Sequence, residues 1–239
     1  MSFLIFLNPT AMSNSPAIAE VSSLISPSPN PIADTQLPVK LGVMASGSGS
    51  NFEAIAQAIA DRQLNAQVEL LIYNNPGAKV GDRATRWGIP SALFNHREFE
   101  HREDLDRAIV QALQQAGVEW VIMAGWMRIV TPVLIHAFEN RILNIHPSLL
   151  PSFKGNRAVE QALEAGVKIT GCTVHLVVPE VDSGTIIMQA AVPVLPNDTV
   201  ETLQNRIHFQ EHQIYPPAIG LASQAFRKKL DSELPNLNC

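Results

Sequence analysis

The chain has 239 residues, enough for one large domain or two small ones, and is 46% hydrophobic against 16% charged, the balance of a well-cored globular protein. Its formal net charge is −5 and it carries no dense Lys/Arg run, which argues against binding nucleic acid or an anionic membrane through bulk charge. Two cysteines, Cys172 and Cys239, argue against a disulfide framework and suit a reducing cytoplasm, and no apolar run reaches the length of a membrane span.

Residues 1–38 are rich in Ser, Pro, Asn and Ala, with Pro27, Pro29 and Pro31 in quick succession. Such a segment buries too little apolar area to offset its ordering entropy, so disorder is expected over 1–38. The apolar start Phe3-Leu4-Ile5-Phe6-Leu7 lacks a basic flank and a cleavage site, and the segment lacks the Arg of a transit peptide. The simplest reading is an extension with a second possible start at Met12.

From Val39 the pattern changes, and one folded domain is expected over 39–230 with a tail at 231–239. A buried strand over 39–45 leads through a Gly/Ser loop into a helix over 51–60, then a strand over 68–73 and a helix over 78–87 closed by Gly88. A short strand over 91–94, a long amphipathic helix over 103–115 closed by Gly117, and a strand over 120–124 follow. Alternating strands and helices with short links predict a doubly wound, mostly parallel α/β sheet. An apolar run then ends on Asn144-Ile145-His146-Pro147. Beyond a helix over 158–165, two β-branched strands over 170–178 and 184–190 predict an antiparallel C-terminal extension of the sheet. The stretch 198–226 predicts a helix in two pieces, capped by Asp198 with Glu201 at the capping-box position and broken at Pro216-Pro217.

Four places carry chemistry. Asn144 and His146 stand two apart at a strand end, so they point the same way and can aim at one reacting atom. An amide donor beside a titratable imidazole suits acyl transfer, where a carbonyl becomes an oxyanion, although two satisfied polar residues would give the same pair. The loop Ser46-Gly47-Ser48-Gly49-Ser50-Asn51 joins the first strand of the domain to a helix, where backbone N–H groups can cradle an anion. It lacks the Gly-Lys-Ser/Thr of a nucleoside triphosphate loop, and Phe52 stands where a dinucleotide fingerprint needs its third glycine, so a monophosphate fits best. The loop 179–184 offers Asp182, which could hold an imidazole, and is the candidate lid. The segment 125–130, also at the carboxyl edge, could grip a flat heterocycle. His208 and His212 lie four apart on one helix face, a zinc-compatible spacing, but the sequence supplies no further ligands there and no metal is expected. Glu211 could face the cleft and accept from a substrate amine. Cys172 reads as a buried strand residue rather than a nucleophile.

These segments, in this order and with Gln210-Glu211-His212-Gln213-Ile214-Tyr215-Pro216, closely resemble phosphoribosylglycinamide formyltransferase, the folate-dependent family of purine synthesis, over about residues 39–228. The resemblance implies a formyl transfer from 10-formyltetrahydrofolate, as co-substrate, to the amine of glycinamide ribonucleotide, in the cytoplasm, by a monomer or homodimer. It assigns catalysis to Asn144, His146 and Asp182, the substrate phosphate to Gly49, Ser50 and Asn51, and the glycinamide end to Glu211. The folate would lie against Met127, Arg128, Ile129 and Val130, with Arg102 nearby. The segment 152–157, Ser-Phe-Lys-Gly-Asn-Arg, departs from the pattern of several family members.

Three rivals share parts of this pattern. A formyltetrahydrofolate hydrolase has the same Asn, His and Asp, and Phe153-Lys154-Gly155 leans that way, but 1–38 is too short and polar for the regulatory domain of that kind. A methionyl-tRNA formyltransferase would need a basic C-terminal domain. A binding module without catalysis would not require the trio.

Overall fold

The computed structural model describes residues 24–28 and 37–233. Eight strands form one sheet: β1 (Ile25–Ser26), β2 (Val39–Ala45), β3 (Ala66–Tyr73), β4 (Ser91–Leu93), β5 (Trp120–Met123), β6 (Ile142–His146), β7 (Ile169–Leu176) and β8 (Ile186–Pro193). Their spatial order is β1-β8-β7-β6-β5-β2-β3-β4. Strands β2 to β6 are mutually parallel, whereas β6–β7, β7–β8 and β8–β1 pair antiparallel. The expected doubly wound sheet with an antiparallel extension is therefore present.

Helices cover both faces. On one, α1 (Ser50–Ala60), α2 (Val80–Trp87), α5 (Ala158–Glu164) and α6 (Val200–Glu233) enclose a core that includes Leu41, Val43, Phe52, Ile55, Leu143, Val174 and Tyr215. On the other, α3 (Arg102–Gln115) and α4 (Pro132–Ala137) bury Leu105, Ile109, Leu113, Leu134 and Ile135 against Met44, Ile72 and Val121. The central strands β2 and β5 supply buried residues to both cores, which is why they read as continuous apolar runs. The sequence pattern did not yield α4, although Thr131 caps it by accepting from the Val133 N–H and Pro132 occupies its first turn.

Two expectations fail in α6. Residues 200–233 form one continuous helix with Pro216 and Pro217 inside it. Each proline removes a ladder hydrogen bond, but Ile214, Tyr215, Ala218 and Ile219 around them are fully buried, and tertiary packing overrides the local cost. Asp198 is not the cap. Thr199 Oγ1 accepts from the Thr202 N–H, while the Asp198 carboxylate takes both arms of Arg206 at 2.7 and 2.9 Å. At the other end of the chain, part of the segment expected to be disordered is ordered. Ile25 and Ser26 pair with Ala190 and Gln189 at the β8 edge, and the Ala191 N–H donates to the Leu24 carbonyl. Residues 1–23, 29–36 and 234–239 lie outside the described residues. No helix among the described residues is long and apolar enough to cross a membrane.

Candidate active site

The sheet order reverses at β2, with β5 on one side and β3 on the other, so the loops after β2 and β5 diverge at a switch point where open α/β sheets bind ligands. The two loops are tied together there. The Ser46 N–H donates to the Gly125 carbonyl at 3.0 Å, and Ser46 Oγ accepts from the Met127 N–H at 2.9 Å. The turn into α1 depends on Gly49, whose φ is +76°. A Cβ there would lie 2.7 Å from Val80 Cβ and closer still to Val80 Cγ2, so both conformation and space demand glycine. The N–H groups of Ser50 and Asn51 start an eleven-residue helix.

Asn51 is buried and its side chain is turned away from the turn: Nδ2 donates to Glu211 Oε2 at 2.8 Å. With its side-chain nitrogen so engaged, Asn51 keeps its backbone N–H at the first turn of α1. Glu211 is held in place through its helix. Tyr215, four residues on and on the same face, directs its hydroxyl at the carbonyls of Met123, the last residue of β5, and Leu143, within β6. Burial raises the Glu211 pKa above the usual carboxylate range, against the Asn51 hydrogen bond and the charges of His208 and His146. Asn51 Oδ1 is also buried and has no hydrogen-bond partner among the described residues. The Asn51–Glu211 pair thus includes a buried acceptor with no partner, chemistry that suits a hydrogen-bond donor such as an amine.

Asn144 and His146 project from β6 on the sheet face opposite Leu143 and Ile145. His146 is 5% exposed. Its Nε2–H donates to the Phe153 carbonyl at 2.8 Å, and its Nδ1 lies 3.4 Å from Asp182 Oδ2. Both ring nitrogens thus face acceptor oxygens. The segment after His146 is fixed by Thr173: its Oγ1 donates to the Ser148 carbonyl and accepts from the Leu150 N–H.

Asp182 sits in the 179–184 loop with φ +48°. Its neighbour Gly184 runs so close to the Leu176 carbonyl that a Cβ would collide with it, and this holds the loop against the end of β7. Burial raises the Asp182 pKa, but a bond to His175, the Gly155 N–H and the charges of His146 and His175 outweigh it and leave the carboxyl below its usual range. The 152–157 segment packs against His146 and the 179–184 loop: the Gly155 N–H donates to Asp182 Oδ2 at 2.8 Å, and Lys154 Nζ donates to Ser183 Oγ at 2.6 Å. Phe153, Gly155 and Arg157 all have positive φ, which shapes this tight closure.

Sequence reasoning missed His175. It is 2% exposed and lies directly opposite Asn144 in the β6–β7 register. Its Nε2 is 3.2 Å from Asn144 Nδ2 and 3.5 Å from Asp182 Oδ1. The antiparallel strand could be read from the sequence, but its register could not.

The remaining expected positions lie on the loop after β5 and on the first turn of α3. Met127 and Ile129 are 80% and 58% exposed, Arg128 is half-buried, and Val130 is buried at the root of the loop. Arg102 is exposed on the first turn of α3, one turn before Asp106, whose Oδ2 accepts from the Thr131 N–H. Among the described residues, Arg102 makes no hydrogen bond to 127–130. Cys172 is fully buried, and burial, with the Glu211 charge, raises its thiol pKa far above normal, so it is not poised as a nucleophile. Among the described residues no cluster of His, Cys, Asp or Glu is arranged to hold a metal ion.

An open, mostly parallel α/β sheet with an amide and an imidazole at the end of β6 and a carboxylate brought beside them from the 179–184 loop defines the class of protein. Residues 39–219 match the family described as formyl transferase, and the chain belongs to that family. It is 44% identical over 180 residues to a phosphoribosylglycinamide formyltransferase of Bacillus subtilis, an alignment covering 75% of this chain and 92% of that protein. It is likewise 44% identical over 184 residues to the human trifunctional purine biosynthetic protein adenosine-3, where the match covers 77% of this chain but only 18% of the relative's length. A crystal structure of glycinamide ribonucleotide transformylase 1 from Symbiobacterium toebii superposes with a TM-score of 0.77 at 46% identity, covering 79% of this chain and 89% of the other.

Proposed function

We propose that this protein transfers a formyl group from 10-formyltetrahydrofolate to the amine of glycinamide ribonucleotide, giving formylglycinamide ribonucleotide and tetrahydrofolate. The observation that carries the reading is the pairing of two sites at one sheet edge: the trio of Asn144, His146 and Asp182, and the buried acceptors of Glu211 and Asn51. The first suits a formyl carbonyl and the second a substrate amine. The names of the bacterial relatives and of the superposed structure support the same substrates. The α1 N-terminus and the turn through Gly49 suit the ribonucleotide phosphate, held by backbone N–H groups of Ser50 and Asn51. The exposed Met127 and Ile129, with Arg128 and Val130, offer an apolar wall for the folate heterocycle, and Arg102 a charge for its acidic end.

In this mechanism Glu211 and Asn51 Oδ1 orient the amine so that its lone pair meets the formyl carbon. As the new C–N bond forms, negative charge grows on the formyl oxygen. Asn144 donates to that oxygen, and the charged ring of His146, balanced by Asp182, stabilises it. The bond from the formyl carbon to the folate nitrogen then breaks. That nitrogen gains a proton and the amine loses one, with His146 able to carry it. The Nε2–H of His146 is held by the Phe153 carbonyl, so its use in catalysis requires the 152–157 segment to shift.

The test is spectroscopic. Purified protein with 10-formyltetrahydrofolate should release tetrahydrofolate only when glycinamide ribonucleotide is present, and His146→Ala should abolish turnover while leaving ribonucleotide affinity nearly unchanged. Equal turnover without the ribonucleotide would establish the hydrolase instead, and no turnover with either would leave a binding module.

A further inference from the structure

We propose that Arg83, on α2, is a positioning residue for the substrate phosphate: by holding the Ser48 carbonyl it keeps the backbone N–H groups of the Gly/Ser loop turned toward the anion. The inference rests on the phosphate reading of that loop. With glycines at 47 and 49 the loop meets little steric resistance to rotating a peptide plane, and one such rotation would exchange an N–H donor for a carbonyl that repels a phosphate. The segment 75–83 fixes the planes. Three successive loop carbonyls are taken by donors from it: Ser46 O accepts from Asn75 Nδ2 at 2.7 Å, Gly47 O from the Val80 N–H at 3.3 Å, and Ser48 O from Arg83 Nε at 2.7 Å.

A trans peptide points its C=O and the following N–H in opposite directions, so these bonds turn the N–H groups of Gly47, Ser48 and Gly49 away from 75–83. The Gly49 carbonyl accepts from the Glu53 N–H at 3.0 Å, which in the same way sends the Ser50 N–H back out of α1. Among the described residues the N–H groups of 47–51 donate to no protein acceptor, a run of donors free for a ligand. The same turn carries an independent mark of a ligand: Asn51 is 7% exposed and its Oδ1 has no partner among the described residues. Arg83 differs from the other two ties because it also joins the loop to the helix that follows. Its Nη1 donates to Glu53 Oε2 on the first turn of α1, and the other Glu53 oxygen accepts from Trp87 Nε1 at 3.0 Å. The Glu53 carboxylate would by itself repel an anion at this helix end; Arg83 and Arg86 balance it. A planar guanidinium serves the Ser48 carbonyl and Glu53 at once, a fork that a single ammonium does not reproduce.

Two variants separate positioning from charge. Arg83→Met removes both donors, whereas Arg83→Lys keeps the charge and loses the fork. Steady-state kinetics should show KM for glycinamide ribonucleotide raised about 10- to 100-fold in both, the scale of a lost charge-assisted hydrogen bond, with kcat within about three-fold of the parent. Inhibition by the riboside that lacks the phosphate should be the same in parent and variants, because nothing in that compound reaches the loop donors. Parent-like KM in Arg83→Lys would show that charge alone suffices and overturn the positioning role. An equal loss of ribonucleotide and riboside affinity would show general disruption of the site and overturn it as well. A parent that binds ribonucleotide and riboside equally would remove the phosphate reading itself; a parent preference that survives intact in both variants would overturn the role of Arg83 alone. If thermal melting shows the Arg83 variants unfolded at the assay temperature, Asn75→Ala, which removes the neighbouring tie on Ser46, takes their place with the same phosphate-specific loss expected and an unchanged KM refuting the clamp.

Discussion

Gly49→Ala tests whether the turn into α1 is as constrained as its geometry implies. The φ of +76° costs an L-residue about 1–2 kcal/mol. The added methyl would lie 2.7 Å from Val80 Cβ, an atom fixed to the backbone that no rotamer change can move, and overpacking of this kind costs about 1–3 kcal/mol. Loss of glycine's freedom in the unfolded chain returns at most about 1 kcal/mol. The net destabilisation should be about 2–4 kcal/mol, read as a lower urea midpoint at unchanged slope. Gly47 is the control two residues away in the same loop. It has no positive φ and a Cβ there meets nothing within 4 Å, so Gly47→Ala should stay within about 0.5 kcal/mol of the parent. If α1 and its leading turn hold the ribonucleotide phosphate, Gly49→Ala should also raise KM for that substrate more than it lowers kcat. Indistinguishable midpoints for the two variants would refute the steric reasoning.

Glu211→Gln should stabilise the free protein and cut activity, because it removes a buried charge while Gln can still accept from Asn51. Burial raises the folded pKa of Glu211 above its unfolded value, so the destabilisation is complete above the folded pKa and disappears as pH falls toward about 4.5. Urea unfolding from pH 8 to 4.5 should show the two proteins converging on the acid side; a gap that widens instead would contradict the assignment. Asp198 behaves in the opposite sense. Arg206 chiefly lowers its pKa from 3.8 to about 2, so its contribution of about 2 kcal/mol is present above pH 4 and lost as pH falls from about 4 to 2. Asp198→Asn should be destabilised at pH 7 and should lack that acid-side loss, and a variant as stable as the parent at pH 7 would show the ion pair contributes nothing.

Much of this protein was legible in one dimension. The alternation of apolar runs with helical periodicity determined the doubly wound sheet, because parallel strands buried on both faces need continuous apolar residues and helical crossovers. The two-residue spacing of Asn144 and His146 placed them on one face for the same period-two reason. The position of the Gly/Ser loop between a strand and a helix marked the carboxyl edge of the sheet. Local signals were less decisive in α6. Pro216-Pro217 predicted a break, but burying Ile214, Tyr215, Ala218 and Ile219 kept one helix; Asp198 looked like a cap, but Arg206, a distant turn away, claimed its carboxylate. What only the tertiary structure decided were relations between segments far apart in the chain: Asn51 with Glu211, 160 residues on; His175 opposite Asn144; and the 152–157 turn lying over His146. Strand register and loop closure depend on the summed packing of the whole core, and no local pattern of residues encodes that sum.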